Sequence, residues 1–296
     1  MILPARLRNL PRTTVEGWLL VTPAVILGAL LVAYPFGYNI WLSFSNRTAR
    51  RAGKFVGLDN YEKLLTDADI YIMTARTLIW TAGTVIGQVV LGLALALFLN
   101  QQFRGRGFIR ASLLVPYAMS VVTVVFIWKW LLNDINGIVN YTLLNLGAIG
   151  SPIVFLSGPT SAMLTVVTVA IWQAMPFTVL VLLAGLQSIP QELYETARVD
   201  GGGRWVQFRH VTLPLLRPVL ATIILIKTIW TFNWFDLVWL YTAGGPADAT
   251  RTLAVAVYDE GFRRFRFSEA ATLGVFMFVC IVILAIPLAR WAERDP

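Results

Sequence analysis

The sequence predicts an all-α membrane protein of six transmembrane helices, with a cytoplasmic loop of two short helices between the fourth and the fifth. Hydrophobic residues make up 57% of the chain, charged ones only 14%, and uncharged runs recur along all 296 residues. A soluble domain carries about a quarter of its residues charged, whereas crossing a bilayer takes about 20 predominantly apolar helical residues. A single polytopic domain, 1–296, follows.

The first span is assigned to 17–43, because no residue between Glu16 and Arg47 is charged. Arg6, Arg8 and Arg12 precede it as they would a secretory leader, but the apolar run is too long for one, so it is expected to be a retained helix. The second span, 77–100, fills the uncharged interval between Arg76 and Arg104, and the third, 111–132, takes in Lys129 near its end. Lys129 stands between Trp128 and Trp130 and is expected to snorkel to an interface. The fourth span, 161–186, is uncharged, and the fifth, 217–241, is assigned in spite of Lys227 and Asp236. The sixth, 270–289, lies between Glu269 and Arg290. Six spans put both termini on one side.

Basic residues divide almost evenly between the two sides. The tight segment from Gln101 to Arg110 nevertheless holds three arginines and no acid, while 133–160 holds no basic residue. By the positive-inside rule both termini are therefore placed in the cytoplasm. The net charge of +8 comes from short clusters beside the spans rather than one continuous face, which suits anionic headgroups and not nucleic acid. Cys280, the single cysteine, falls within the sixth span and permits no intrachain disulfide.

No phosphate-binding loop is present: Gly53-Lys54 runs into Phe55, and Gly201-Gly202-Gly203 runs into Arg204. His210 is the only histidine, so no metal-ligand cluster of the usual kinds exists, and it is expected to be a solvated or helix-end residue. No catalytic residue, metal or cofactor is assigned to this chain.

The segment 187–216 reads as a short helix, a glycine hinge and a second short helix. Ser188 and Gln191 have capping-box spacing, Pro190 suits a first turn, and Gly201 to Gly203 supply a stop. Trp205, Phe208 and Val211 then recur at helical spacing before Pro214 and Pro218. Two amphipathic helices between spans suggest a docking surface. An interfacial helix on lipid headgroups is the other reading, and Glu192, Glu195 and Asp200 make it less apt.

The same segment holds Glu195-Thr196-Ala197, Gly201 after three residues, and Val211-Thr212-Leu213-Pro214 after nine more. This resembles the signature of the inner-membrane permeases of binding-protein-dependent ABC importers, in the branch that carries sugars, polyols and glycerol phosphates. Their signature is Glu-Ala-Ala, then Gly, then Ile-x-Leu-Pro at those spacings; Thr196 and Val211 are the departures. Gly105-Arg106-Gly107 with Arg110 and Pro116, Gly137 with Asn140, and Thr242-Ala243-Gly244-Gly245-Pro246 with Thr250 resemble further segments of that branch. The likeness covers nearly the whole chain.

The resemblance implies a permease of the bacterial inner membrane that is not itself an enzyme. Its first loop helix would be a coupling helix seated in a cleft of a separate ATPase, with Glu195 as the charged contact and Ala197 and Gly201 allowing close approach. The implied partners are two ATPase subunits that bind ATP and Mg, a second homologous permease subunit, an extracytoplasmic solute-binding protein and membrane lipid. The alternative is a gradient-driven carrier or channel, which has no use for such a loop.

Ionisable residues inside a span usually face a bundle interior or a watery path, which singles out the fifth helix. Lys227 and Asp236 are nine residues apart, about 900° around a continuous helix, and so lie on opposite faces. Trp230, Asn233, Trp234 and Leu237 share a face on which a sugar ring could stack and hydrogen-bond. Ordinary packing, or an aromatic belt with a hydrated Asp236, fits the same residues. Trp172 and Gln173 on the fourth span are further candidates for the path, with Pro176 marking a kink below them.

Overall fold

The computed structural model describes residues 12–292, and among them the regular elements are helices. The first span is built from α1 (Arg12–Gly28), a wide π turn at Ala29–Ala33 and α2 (Tyr34–Ser43). After a short surface helix, α3 (Asp59–Thr66), comes α4 (Ala68–Asn100), the longest. The bent pair α5 (Arg106–Ala118) and α6 (Val121–Leu131) leads through α7 (Ile138–Asn145) to α8 (Pro159–Gln187). Two short helices follow, α9 (Gln191–Val199) and α10 (Arg204–Gln207), and a π turn at Phe208–Thr212 runs into α11 (Leu213–Phe232). The chain closes with α12 (Asp236–Thr242), α13 (Leu253–Tyr258), a π turn at Asp259–Arg263 and α14 (Phe267–Ala292).

Among the described residues, five helical stretches are long and apolar enough to cross a membrane: Gly17–Ser43, Ala68–Asn100, Pro159–Gln187, Arg204–Phe232 and Phe267–Ala292. The pair α5–α6 makes a sixth if counted as one span, but it bends by 100°. Three expected boundaries change. The second span starts at Ala68 rather than 77, because Asp67 caps the helix by accepting the Asp69 N–H at 2.9 Å. The third is broken rather than continuous, since the Ser120 hydroxyl accepts the Thr123 N–H and begins a new helix. The fifth helix stops at Phe232, short of 241, and the rest turns away as α12.

Three buried clusters fix the helix directions. Ala96 and Leu99 at the end of α4 meet Leu182 and Leu186 at the end of α8 and Leu216 near the start of α11. At the other end, Ile70 and Met73 of α4 meet Phe232, Leu253 and Leu273. Helices α4 and α8 therefore run parallel and α11 antiparallel to them. Trp80, Val124, Val166, Ala170 and Leu237 fill the space between.

Lipid tails are as apolar as leucine, so close backbone approach rather than hydrophobicity drives such packing. A Cβ added at Gly92 would lie 2.9 Å from the Thr178 Cγ2, and one added at Gly185 would lie 2.8 Å from the Leu216 Cδ1. The first span is different: none of the residues in its most apolar window is buried by the rest of the chain. It touches α14 through Phe36, whose ring meets Phe278 edge-on at 5.1 Å.

The two ends of the bundle carry different chemistry. The α9 loop follows α8 at the end where α4 also stops. At the opposite end, the hairpin after α2 is held to the turn before α14 by Ala49 N–H to Phe265 O and Ser268 N–H to Arg47 O, both 3.1 Å. Buried Asp259 and Glu260 there receive Arg263 at 3.2 Å, Arg264 at 2.6 Å and Arg251 at 3.5 Å from Asp259.

Candidate functional site

Helix α9 stands outside the bundle, with Glu192, Glu195 and Thr196 exposed and Tyr194 and Ala197 half-buried. Its stop is the one the glycines predict. Gly201 takes φ +81°, which a residue with a Cβ adopts only at a cost, while Gly201 N–H reaches Arg198 O at 3.0 Å and Gly202 N–H reaches Ala197 O at 2.7 Å. Gly202 has no room for a side chain, because an added Cβ would sit 2.6 Å from that Ala197 oxygen. The start differs from expectation: Pro190 precedes the helix with no side-chain cap, and Ser188 instead donates to Gly185 O at 2.8 Å. Ser188 ends α8 and so does not form a box with Gln191.

The second half of the same sequence signature is the entry to α11. Val211 lies in the π turn, Thr212 is buried, and Leu213 and Pro214 form the first helical turn, where a missing N–H costs nothing. Leu213 packs beside the cluster formed by Leu186 and Leu216. The two halves touch through Tyr194, whose hydroxyl lies 3.1 Å from the Thr212 hydroxyl, and through Gln207 Nε2, which donates to Gly202 O at 2.9 Å. Thr196 bonds back to Glu192 O at 3.0 Å within α9, leaving the Glu195 carboxylate facing outward. His210 is exposed on the π turn, its Nδ1 3.2 Å from Val206 O.

Within the bundle, the break in the fifth helix makes a second site. Asn233 ends α11, its Nδ2 donating to Ile229 O at 2.9 Å. The next free carbonyl, Thr231 O, accepts Trp234 N–H at 3.1 Å and Trp80 Nε1–H at 3.0 Å. Non-helical backbone at membrane depth must be satisfied by protein, and side chains from two helices do this here. Trp230, Asn233, Trp234 and Asp236 line an open pocket of about 430 Å³ at the break.

Four of the six residues expected on the path thus come together, but not as a helical face. Asn233 is a cap, Trp234 sits in the break, and Leu237 is fully buried in the core instead of sharing their surface. The opposite-face argument for Lys227 and Asp236 also lapses, because no continuous helix joins them. Trp172 and Gln173 stand apart from this pocket. Trp172 meets Trp128 edge-on at 5.5 Å within the central cluster, and Gln173 is buried with its Oε1 unpaired. Pro176 lies inside an unbroken α8.

Residues 88–295 match the family described as binding-protein-dependent transport system inner membrane component. The chain belongs to this family. It is 37% identical over 276 residues to the inner membrane ABC transporter permease protein YcjO of Escherichia coli (strain K12), covering 92% of each. It is 32% identical over 271 residues to the trehalose/maltose transport system permease protein MalF of Thermococcus litoralis, covering 91% of each. Among solved structures, a bacterial ABC transporter involved in the import of the acidic polysaccharide alginate shares the fold, with TM-score 0.81 and 23% identity over 94% of this chain and 96% of that one. This chain is therefore a multi-pass inner-membrane permease subunit of the ABC type and not itself an enzyme.

Several functional contacts of this permease were not visible in its sequence. Lys129 is exposed, and its Nζ donates to Leu240 O at 2.9 Å, at the C-terminal end of α12, where a cation meets free carbonyls. Lys227 is buried and donates to Ala174 O at 2.9 Å. Trp80 was passed over as one aromatic among many. The Ser120–Thr123 spacing after Pro116 is the one local signal that would have located the break in the third span.

Proposed function

We propose that the chain forms the translocation path of an ATP-driven importer for a sugar or related polyol and is coupled through α9 to a separate ATPase. The supporting observation is the arrangement of α9: an exposed carboxylate, Glu195, on a rigidly stopped helix whose Tyr194 meets the entry of a spanning helix at Thr212. A push on α9 reaches α11 through that contact, through Gln207 and Gly202, and through the chain itself at Val211, Leu213 and Pro214. Ala197 and Gly201 carry little or no side chain, which keeps α9 and its stop slim where a partner closes on them. In this reading α9 and both termini are cytoplasmic, and the Arg47 hairpin is outside.

ATP and Mg belong to two ATPase subunits; among the described residues no cluster of acids, histidines or cysteines is able to hold a metal here. A second permease subunit would cover the open side of the pocket, and an extracytoplasmic binding protein would deliver the solute. Relatives named for trehalose and maltose support a carbohydrate. Indole faces at Trp230 and Trp234 beside the Asn233 amide suit a ring bearing hydroxyls.

Glu195→Lys tests the coupling. Like charges brought together at an interface cost several kcal/mol, so the ATPase is expected to be lost on co-purification, and uptake with it, at unchanged membrane abundance. A helix that merely rests on anionic headgroups would gain affinity from the new lysine. Unchanged co-purification and uptake would remove α9 as the coupling element.

A further inference from the structure

Lys227 is a buried spanning-helix cation that the proposed function leaves without work. It is 2% exposed, among the described residues no carboxylate pairs with it, and its Nζ lies 5.1 Å from the Phe177 ring and 5.8 Å from the Trp230 ring. With Ala174 O, its surroundings are one acceptor and two aromatic faces, which suit an ammonium. Trp230 is the link to the path. One side of it meets the ammonium and Phe177, at 5.6 Å between rings, while 53% of its surface is open and lines the pocket at the helix break.

We infer that Lys227 sets a positive electrostatic barrier behind the Trp230 wall, so that the path passes a neutral or anionic solute while repelling protons and sodium ions. The inference rests on the importer reading above. A fixed positive charge beside a narrow path excludes cations without touching the solute. An importer whose bundle opens on each cycle needs such a barrier to keep the ion gradient intact. Asp236 lines the same pocket and has the opposite sign. It is exposed, however, and bonded to the Leu237 N–H at the start of α12. At equal distance a buried charge, acting through an effective dielectric of about 20, outweighs a water-screened one at about 80 roughly fourfold. The buried lysine is the less screened of the two charges.

The test uses the importer reconstituted with its ATPase, partner permease and binding protein in vesicles holding a trapped pH dye, with protons and then sodium as probes. Lys227→Met should raise cation leak several-fold during ATP-driven cycling, and Lys227→Arg should not. Trp230→Glu keeps the tie to Ala174 but places a carboxylate beside the ammonium, and should raise the leak as well. Leak at the wild-type level in an assembled Lys227→Met complex would overturn the inference, as would equal leak in Lys227→Arg. If Lys227→Met fails to assemble, Trp230→Glu decides in the same way. Loss of uptake without added leak would make Lys227 a packing residue only, and the inference would fall. If the wild-type chain binds no ATPase, the importer reading itself fails, which is a different result from any leak value.

Discussion

At the scale of single residues, the chemistry of this permease is a matter of which side chain reaches which backbone carbonyl. Trp80 reaches Thr231 O across 151 positions, adding a second donor beside the Trp234 N–H and tying α4 to the break in the fifth span. Trp80→Phe keeps most of the ring and loses the donor while Thr231 O keeps the Trp234 N–H, so it is expected to cost about 0.5–1.5 kcal/mol, the net worth of one hydrogen bond. Thermal unfolding of the purified chain should show a lower midpoint for this variant than for Trp172→Phe, whose indole N–H makes no recorded bond. The motif residues were legible one by one: Glu195 is exposed and Gly201 takes positive φ, as their spacing and type suggest. Trp80 was not, because a tryptophan in an apolar run carries no mark of its distant partner.

At the scale of elements, two of the expected spans turn out to be broken: the third restarts on a local cap, and the fifth ends on the Asn233 side chain and on Trp80 from α4. In the third, Ser120 caps the new helix through the Thr123 N–H at 3.2 Å. Ser120→Ala should therefore cost about 1 kcal/mol and loosen α6, read as faster amide exchange of 121–125 with little change in α4 and α8. Hydropathy marks 111–132 and 217–241 as apolar stretches but does not show the breaks, since Ser120 in the one and Asn233 with Asp236 in the other are too few polar residues to interrupt the run. Period-based reasoning then built a face from Trp230 to Leu237 that the chain does not possess. The pocket survives that error because four of its residues line the break itself. The glycine stop between α9 and α10 was legible because a breaker is a local signal, whereas the start of α9 was not, since Ser188 ends α8 instead of capping it.

At the scale of the whole molecule, the parallel pair α4 and α8 with antiparallel α11 separates two ends that differ in character. The end with α9 follows from connectivity, and the opposite end carries the Arg47 hairpin and the buried Asp259–Glu260 pair. With Cys280→Ser as background, cysteine placed at Arg50 should react in intact cells with a membrane-impermeant maleimide, and cysteine at Thr196 only after the membrane is opened. The reverse pattern would invert the topology. Arginine counts favour this orientation only weakly, because the hairpin proposed to lie outside is itself basic. The depth of helix packing was out of reach of any count: Gly92 against Thr178 is a relation between two spans, not a property of either.

Lys129 and Lys227 both end on main-chain oxygens, at Leu240 and Ala174. A main-chain oxygen is present whatever codon stands at its position, so half of each tie is beyond the reach of mutation. Exchange of Ala174 for another small residue leaves the bond available, and a variant that has lost Lys227 gains nothing from a second change at 174. Suppressors selected in a Lys227→Met background should therefore bring in a new cation elsewhere around the Trp230 wall, never a new acceptor on α8.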